Sequence, residues 1–506
     1  MIIGFDIGTT SVKAGVIGLD GGLVASFGEG YPTARPAQGW VEQDPADWTD
    51  RIDRAVAGFA GAGLTGRIAA IGLTSQVNTH LFLDHAGRPL MPAILWQDGR
   101  AAAEAAELEA SVSLAQKLAW WGAPMPIDAS HVLARMLWVS RHRPDVWQRT
   151  AAVVLPKDYC LAHLTGALRT DPLSNIGLTD ANGVYIPAVL DLVKGAAERM
   201  VPLAGVTEVM GHVRHGYPFA GVPVVTATMD GWSALYGAGG GREGAGIYVS
   251  GTSEVLGIVA QTVHPTEGVV VFPDHGDVRL HAGPTQSGGA ALSWFCGLAG
   301  QTPQAVEAMV AGRPRAALTP LFLPHLQGER APLWNPTLRA VFLGMDQNCA
   351  MADLGRAVYE GVALSARHVL GVLERSAGTK PDALVCGGGG FRSDLWTQIR
   401  ANVLGRSLLR LTVNEVAVLG AAAIAARGVG LFPSLAAAQQ ALVRVGPAVM
   451  PDPALRGLYD DLFGLYTRAI TANASLNADL LGLAKSSENR HAPPDRIFPS
   501  PRAGLD

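Results

Sequence analysis

The run Gly4-Phe5-Asp6-Ile7-Gly8-Thr9-Thr10-Ser11-Val12-Lys13 near the start of the chain has a counterpart in its second half, Tyr248-Val249-Ser250-Gly251-Thr252-Ser253. In each, apolar and β-branched residues lead into glycine and hydroxyl side chains, and a further apolar run follows. That order predicts a strand, a tight glycine turn and a second strand, with backbone N–H groups and Thr/Ser hydroxyls free to surround a phosphate chain. Asp6 adds a carboxylate able to hold a magnesium ion through water. Either run alone also describes an ordinary β-hairpin. The pair, one per half, predicts two related domains closing over a nucleotide.

With 506 residues there is room for two domains with separate cores, and for a third. The chain is 48% hydrophobic and 16% charged with a net charge of −4, which gives no electrostatic footprint for nucleic acid. No lysine or arginine run points to a membrane surface. The four cysteines (Cys160, Cys296, Cys349, Cys386) show no CxxC spacing and read as reduced core residues. The N-terminus enters a strand at Ile2 without a basic leader, so no signal peptide is expected. No window reaches the ~18 uninterrupted apolar residues of a spanning helix, and the apolar run 416–432 is broken by Arg427. A cytoplasmic enzyme is expected.

Along the chain, residues 2–26 read as a hairpin turning at Asp20-Gly21-Gly22. A helix is expected from Pro45, capped by Asp44, with Trp48, Ile52 and Val56 on one face. Strands are expected at Ile68–Leu73, Val153–Leu155, Val222–Ala227 and Ala383–Cys386, and helices at 101–119, around 352–377 and from Asp394. The glycine-rich stretch 237–246 separates the halves, giving domains at 1–242 and 243–483. Residues 484–506 are polar and proline-rich, the composition of a poorly ordered tail.

Gly387-Gly388-Gly389-Gly390 follows a strand and precedes a helix. Such a run lets backbone lie flat against a ligand, suiting an adenine and ribose slot, although a tight turn has the same composition. The run 239–244 formally matches GxGxxG but precedes a strand instead of following one, so it reads as a hinge. No lysine follows a glycine, which excludes the GxxxxGK[ST] phosphate loop, and protein-kinase signatures are absent. Asp230, placed at a strand end beside Gly231, is able to take a proton from a hydroxyl, or simply to form a turn. Trp96-Gln97-Asp98-Gly99-Arg100 combines an aromatic face with a carboxylate and a guanidinium, groups that grip vicinal hydroxyls; a solvated loop anchored by one Trp is the plainer reading.

In this order the motifs resemble the FGGY carbohydrate kinases of the actin and hexokinase superfamily. They are Asp-x-Gly-Thr-Thr at 6–10, WxDxR at 96–100, LPKD at 155–158, Asp-Gly at 230–231, SGTS at 250–253 and GERAP at 328–332. The segment 340–345 with Asp353-Leu354 and 357–360, the glycine run, and Asn414 to Ala421 complete the match, which covers about residues 1–475. Within the family the chain is most similar to xylulokinases, through residues 39–45, 155–159 and 328–330.

The resemblance implies an α/β fold of two actin-like (ribonuclease H-like) domains with an interdomain ATP and sugar cleft. It implies ATP-dependent phosphorylation of a sugar hydroxyl, most readily a ketopentose such as D-xylulose. Asp230 would be the general base, and Mg²⁺ would sit near Asp6 and Asp230. ATP would meet Thr9, Thr10, Lys13, Gly251, Thr252, Ser253, Gly388, Gly389, Gly390 and Asn414. The sugar would meet Gln76, Val77, Asn78, Thr79, Trp96, Asp98 and Gly231. A small-molecule sugar is the expected partner, with neither nucleic acid nor membrane, and a homodimer stays open. Three positions depart from the family pattern: Gln76-Val77-Asn78-Thr79 stands for Gln-Met-His-Gly, Gly231 for Asn, and Arg135 for Lys. The alternatives are a polyol or tetrulose kinase of the glycerol or erythritol type, and a non-catalytic, ATP-switched actin-like protein.

Overall fold

Two mixed sheets organise the computed structural model, which describes residues 1–121, 125–180, 182–272 and 279–491. The first sheet comprises β1 (Ile2–Ile7), β2 (Ser11–Ile17), β3 (Leu23–Gly30), β4 (Ala70–Ser75), β5 (Val209–His212) and β6 (Pro223–Val225), ordered β3-β2-β1-β4-β6-β5. The second comprises β7 (Gly246–Ser250), β8 (Glu254–Val259), β9 (Val270–Val271), β10 (Leu280–Pro284), β11 (Ala383–Gly387), β12 (Ser407–Leu411) and β13 (Val445–Val449), ordered β9-β10-β8-β7-β11-β12-β13. Leaving out β9, the two share one plan. A central antiparallel hairpin (β1–β2, β7–β8) has a third antiparallel strand outside it (β3, β10). Two parallel strands lie on its other side (β4 and β6, β11 and β12), and an antiparallel strand closes the edge (β5, β13).

Local chemistry accounts for the elements. Ile2, Ile3, Phe5 and Ile7 of β1 are all buried, as expected of a central strand covered on both faces. Helix α1 (Pro45–Phe59) starts where Asp44 accepts the Ala46 N–H at 2.9 Å, and it buries Trp48, Ile52 and Val56. The later helices that shape the site are α2 (Asp230–Gly237), α3 (Gly289–Ala299), α4 (Met351–Ala377), α5 (Asp394–Leu404), α6 (Val416–Gly428) and α7 (Arg456–His491). No helix among the described residues is long and apolar enough to cross a membrane.

The halves interlock through α6. A Cβ on Gly4 or Gly72 of the first sheet would stand 2.1 Å from the carbonyl oxygen of Val418 or Ala421. One on Gly420 would stand 1.7 Å from the Ser233 oxygen in α2. Glycine on β1, β4, α2 and α6 therefore lets a helix of the second half lie directly on the first sheet. The resulting core joins Ile2, Ala70, Val225 and Trp232 to Ile247, Leu419 and Ile424.

Some boundaries differ from the sequence reading. The segment 2–26 makes two successive hairpins, because both Gly8 and the Gly18–Gly22 stretch turn the chain. The helix expected at 101–119 is broken: Val112 is extended, and Ser113 bonds Gln116 to start a new helix at Leu114. Asp230 opens α2 instead of ending a strand. Helix α7 continues to His491, past the expected start of the tail at 484, and the rest of that tail lies outside the described residues.

Candidate active site

Because β1, β4 and β6 run parallel, the segments that follow them leave the sheet along one edge, where ligands of open α/β sheets bind. Asp6 lies near the end of β1, and Met229, bridged to Ser75, delivers Asp230 beside it. Burial, then the charge of Asp230, raises the Asp6 carboxyl to about 7; Lys13 opposes the shift. Its Oδ1 is buried and has no hydrogen-bond partner. Burial raises Asp230 to about 6, tempered by backbone N–H groups, of which that of Gly231 reaches Oδ1 at 2.9 Å.

A buried ion cluster supports this edge. Lys157 Nζ lies 2.5 Å from Asp158 and 2.7 Å from Asp171, and all three side chains are inaccessible. Asp171 accepts the Thr228 hydroxyl at 2.9 Å and the Ser174 N–H at 3.0 Å, while the Thr228 carbonyl accepts the Thr74 hydroxyl. The two residues before Asp230 are thereby tied to β4 and to the LPKD helix Pro156–Thr165.

The strip 76–79 lines the same edge. Gln76 is buried; its Nε2 donates to Gln43 at 3.2 Å, and its Oε1 has no partner. Val77 packs into the interdomain core. Asn78 takes a left-handed φ of 53°, donates to the Ser130 hydroxyl at 3.1 Å, and offers its carbonyl to Arg135. Thr79 accepts the Trp96 backbone N–H at 3.3 Å, and the Trp96 indole donates to the Thr9 hydroxyl at 3.1 Å. Asp98 is fully engaged by its own chain. Its buried carboxylate binds the Val41 N–H at 2.5 Å and Arg100, and so shapes the loop that carries Trp96. Arg100 is held in turn by Glu42 and lies over the Trp40 ring. Gly231 is exposed, with open space where a Cβ would stand.

The two glycine turns match in detail. Gly8 N–H closes onto the Ser11 oxygen at 3.1 Å and Gly251 N–H onto the Ser253 oxygen at 2.9 Å. Among the described residues the N–H groups of Thr9, Thr10, Thr252 and Ser253 have no acceptor, so each turn presents a pair of free donors. Lys13 faces Asp6 in register and reaches across the halves to Glu415 at 2.7 Å.

Behind the second turn, buried Arg400 bonds Ser250 at 2.9 Å, Glu254 at 2.5 Å and the Gly390 carbonyl at 2.6 Å. This fastens the glycine run to the hairpin. A Cβ on Gly388 or Gly390 would stand 2.4 or 2.1 Å from Ser250 atoms, whereas one on Gly389 meets nothing within 4 Å. Gly389 is thus the exposed point of the turn, and the neighbouring Asn414 carbonyl accepts the Gly388 N–H at 3.1 Å.

Sequence reasoning assigned no role to the GERAP residues. Glu329 is buried, and its carboxylate accepts the N–H of Gln286 and of Arg330 and the Ser287 hydroxyl. Arg330 extends to the first half and lies over Trp96, 4.7 Å from the ring centre. An acidic residue inside an apolar, proline-containing turn was the available signal.

The N-terminal domain of the FGGY family of carbohydrate kinases matches residues 1–237, and the C-terminal domain matches residues 246–429. The chain is 32% identical to the xylulose kinase of Escherichia coli (strain K12) over 439 residues, covering 84% of this chain and 89% of that protein. It is 29% identical to the glycerol kinase of Alkalilimnicola ehrlichii over 476 residues, 88% of this chain and 94% of the relative. The crystal structure of xylulose kinase from Rhodospirillum rubrum superposes with a TM-score of 0.81 at 29% identity, over 94% of this chain and 99% of that one. The two sheets are those of the two-domain actin-like fold, and the chain belongs to the FGGY family of carbohydrate kinases.

Proposed function

We propose that the protein transfers the terminal phosphoryl group of ATP to a hydroxyl of a ketopentose such as D-xylulose, with Asp230 as general base. The observation that carries this reading is Asp230 itself. Its carboxyl titrates near 6, so it is ionised at neutral pH yet still basic enough to accept a proton from an attacking hydroxyl. The phosphate chain lies between the free N–H pairs of Thr9–Thr10 and Thr252–Ser253, and adenosine lies against Gly388–Gly390 and Asn414. Closing the halves keeps water from the reacting phosphoryl group.

The Asp6 edge fits Mg²⁺: Oδ1 is buried without a partner, and the second carboxylate beside it makes two negative charges costly. Among the described residues no three His, Cys, Asp or Glu side chains form a metal cage, so the ion would complete its shell with phosphate and water. Bound there, it would neutralise charge on the phosphates.

For the sugar, the buried and unpartnered Gln76 Oε1 is an acceptor waiting for a hydroxyl. Two residues on, the Asn78 amide donates to the Ser130 hydroxyl at 3.1 Å. The relatives that are xylulose kinases support the ketopentose. The bare Gly231 and the glycerol kinase relative favour a second reading, a polyol acceptor. ADP release measured with xylulose, ribulose, erythritol, erythrulose and glycerol tests this. A ketopentose with the highest kcat/KM supports the proposal, and a polyol ahead of every ketopentose replaces it with the second reading.

A further inference from the structure

We propose that Arg330, reaching from the second half of the chain, binds the phosphoryl group in transit between the two glycine turns and stabilises its charge in the transition state. This rests on the kinase reading above and adds to it a cationic group from the second half.

Printed on the backbone is a short route from Arg330 to the second turn. Its N–H donates to Glu329 at 3.0 Å, and the same carboxylate binds the Gln286 N–H and the Ser287 hydroxyl, each at 2.5 Å. The segment carrying those two residues lies directly on the turn, since a Cβ on Gly288 would stand 2.8 Å from the Ser253 backbone. At the start of α3, Gly289 N–H bonds the Gly251 carbonyl and Ala290 N–H the Thr252 carbonyl, both at 2.9 Å. The side chain leads to the first turn instead. Its guanidinium carbon lies 4.7 Å from the centre of the Trp96 ring, and the Trp96 indole donates to the Thr9 hydroxyl at 3.1 Å. Arg330 therefore stands one side chain from the first turn and one carboxylate from the segment packed on the second.

The guanidinium is partly buried, and among the described residues none of its five N–H donors meets an acceptor and no carboxylate pairs with it. The neighbouring carboxylates are engaged elsewhere. Glu329 also holds the His325 ring at 3.0 Å, and Asp128, whose charge Arg330 feels, accepts the Ser130 N–H and hydroxyl. Lys13, the cation of the first hairpin, is paired with Glu415 at 2.7 Å. A cation drawn out of water without a partner is costly until an anion joins it. In the proposed reaction the acceptor is neutral, and the phosphate chain is the anion. Stacking on Trp96 fixes the plane of the fork and leaves its edge free for oxygen atoms. A cavity of about 170 Å³, lined in part by Gln286, Glu329 and Arg330, keeps that side chain accessible to a ligand.

In the transfer, the bond between the γ-phosphorus and the β,γ-bridging oxygen breaks while the acceptor oxygen bonds to that phosphorus, and the hydroxyl proton passes to Asp230. Arg330 exchanges no proton. Its N–H groups meet the equatorial oxygens of the moving phosphoryl group, over which the transition state spreads its charge. An interaction stronger there than in bound ATP acts on kcat, and it acts alike for every acceptor.

The test measures kcat and KM for D-xylulose, ribulose and glycerol, and KM for ATP, in the wild type, Arg330→Met and Arg330→Lys, with thermal melts of each. A second readout is the affinity of each protein for ADP alone and for ADP with Mg²⁺, aluminium fluoride and sugar, in which the fluoride mimics the phosphoryl group in transit. Arg330→Met should lower kcat roughly 10²- to 10³-fold on every acceptor the wild type uses, with each KM moving little. Its Kd for ADP should stay close to the wild type while that for the fluoride complex rises roughly tenfold or more, and Arg330→Lys should fall between. A kcat close to wild type would overturn the proposal. So would a loss carried by the KM of one acceptor, or equal weakening of ADP and of the fluoride complex. If Arg330→Met melts early, Arg330→Lys is judged by the same comparisons. A wild type active on none of the acceptors defeats the kinase reading itself, an outcome distinct from an active wild type matched by an equally active Arg330→Met.

Discussion

Asp6 and Asp230 share one edge of the first sheet but titrate apart, Asp230 near 6 and Asp6 near 7. Backbone N–H groups around Asp230 favour its ionised form, whereas Asp6 has an unpartnered oxygen and a charged neighbour. The same edge thereby holds one carboxylate that is ionised at neutral pH and one carboxyl that resists ionisation.

This order sets an acid limb. Below about pH 6 Asp230 is protonated, and in its proposed role it is then unable to accept the hydroxyl proton, so kcat/KM for the sugar should fall about tenfold per pH unit, in inverse proportion to proton concentration. A pH–rate profile checks it; activity that stays level down to pH 4 would contradict it.

Asp6 also makes stability depend on pH. Its folded value of about 7 exceeds the ordinary 3.8, so the folded state binds the proton more tightly. Stability from this group is complete below the unfolded value and is lost as pH rises through about 7, by up to roughly 4 kcal/mol. Asp6→Asn should therefore melt above the wild type at pH 8, with the gap closing towards pH 4. Mg²⁺ with nucleotide should raise the wild-type melt at pH 8 and raise that of the variant by less. Parallel melts of both proteins in each condition are the check.

The glycine turn separates binding from folding. Gly389→Val adds a side chain into open space, so the fold should stand while KM for ATP rises and that for sugar stays close to wild type. Gly388→Val adds a Cβ 2.4 Å from the Ser250 carbonyl oxygen at a φ of 93°, and should destabilise the protein. Melting curves with KM for both substrates distinguish the two variants.

Asp171→Asn breaks the buried cluster under Asp230 and leaves the Lys157 charge under-compensated. A loss of ~3–5 kcal/mol is expected from such a site, readable by urea unfolding. Unchanged stability would remove the cluster from this account.

Legibility followed the distance over which residues act. The glycine turns at Gly8 and Gly251, the Asp44 cap and the Gly387–Gly390 turn depend on neighbours in the chain, and the sequence reading located them. The partners of Asp98 were not legible, because they include the Val41 N–H, which no local pattern reveals. The contact of Arg330 with Trp96 was illegible for the same reason, since Trp96 lies in the other half. The glycines at 4, 72 and 420 gave no strand or helix signal, yet they let α6 join the two sheets. The break at 112–113 did leave a signal, the weak helix formers Ser111-Val112-Ser113 with Gln116 three residues beyond Ser113, which the alanine- and glutamate-rich flanks outweighed.

The most direct measurement is sugar-dependent ADP release by Asp230→Asn alongside the wild type, with melting and nucleotide binding measured on the same samples. The account predicts a folded, ATP-binding variant whose kcat falls by ~10²–10⁴. A variant that keeps more than about a tenth of wild-type kcat, far above the residual expected once a positioned base is lost, would contradict it.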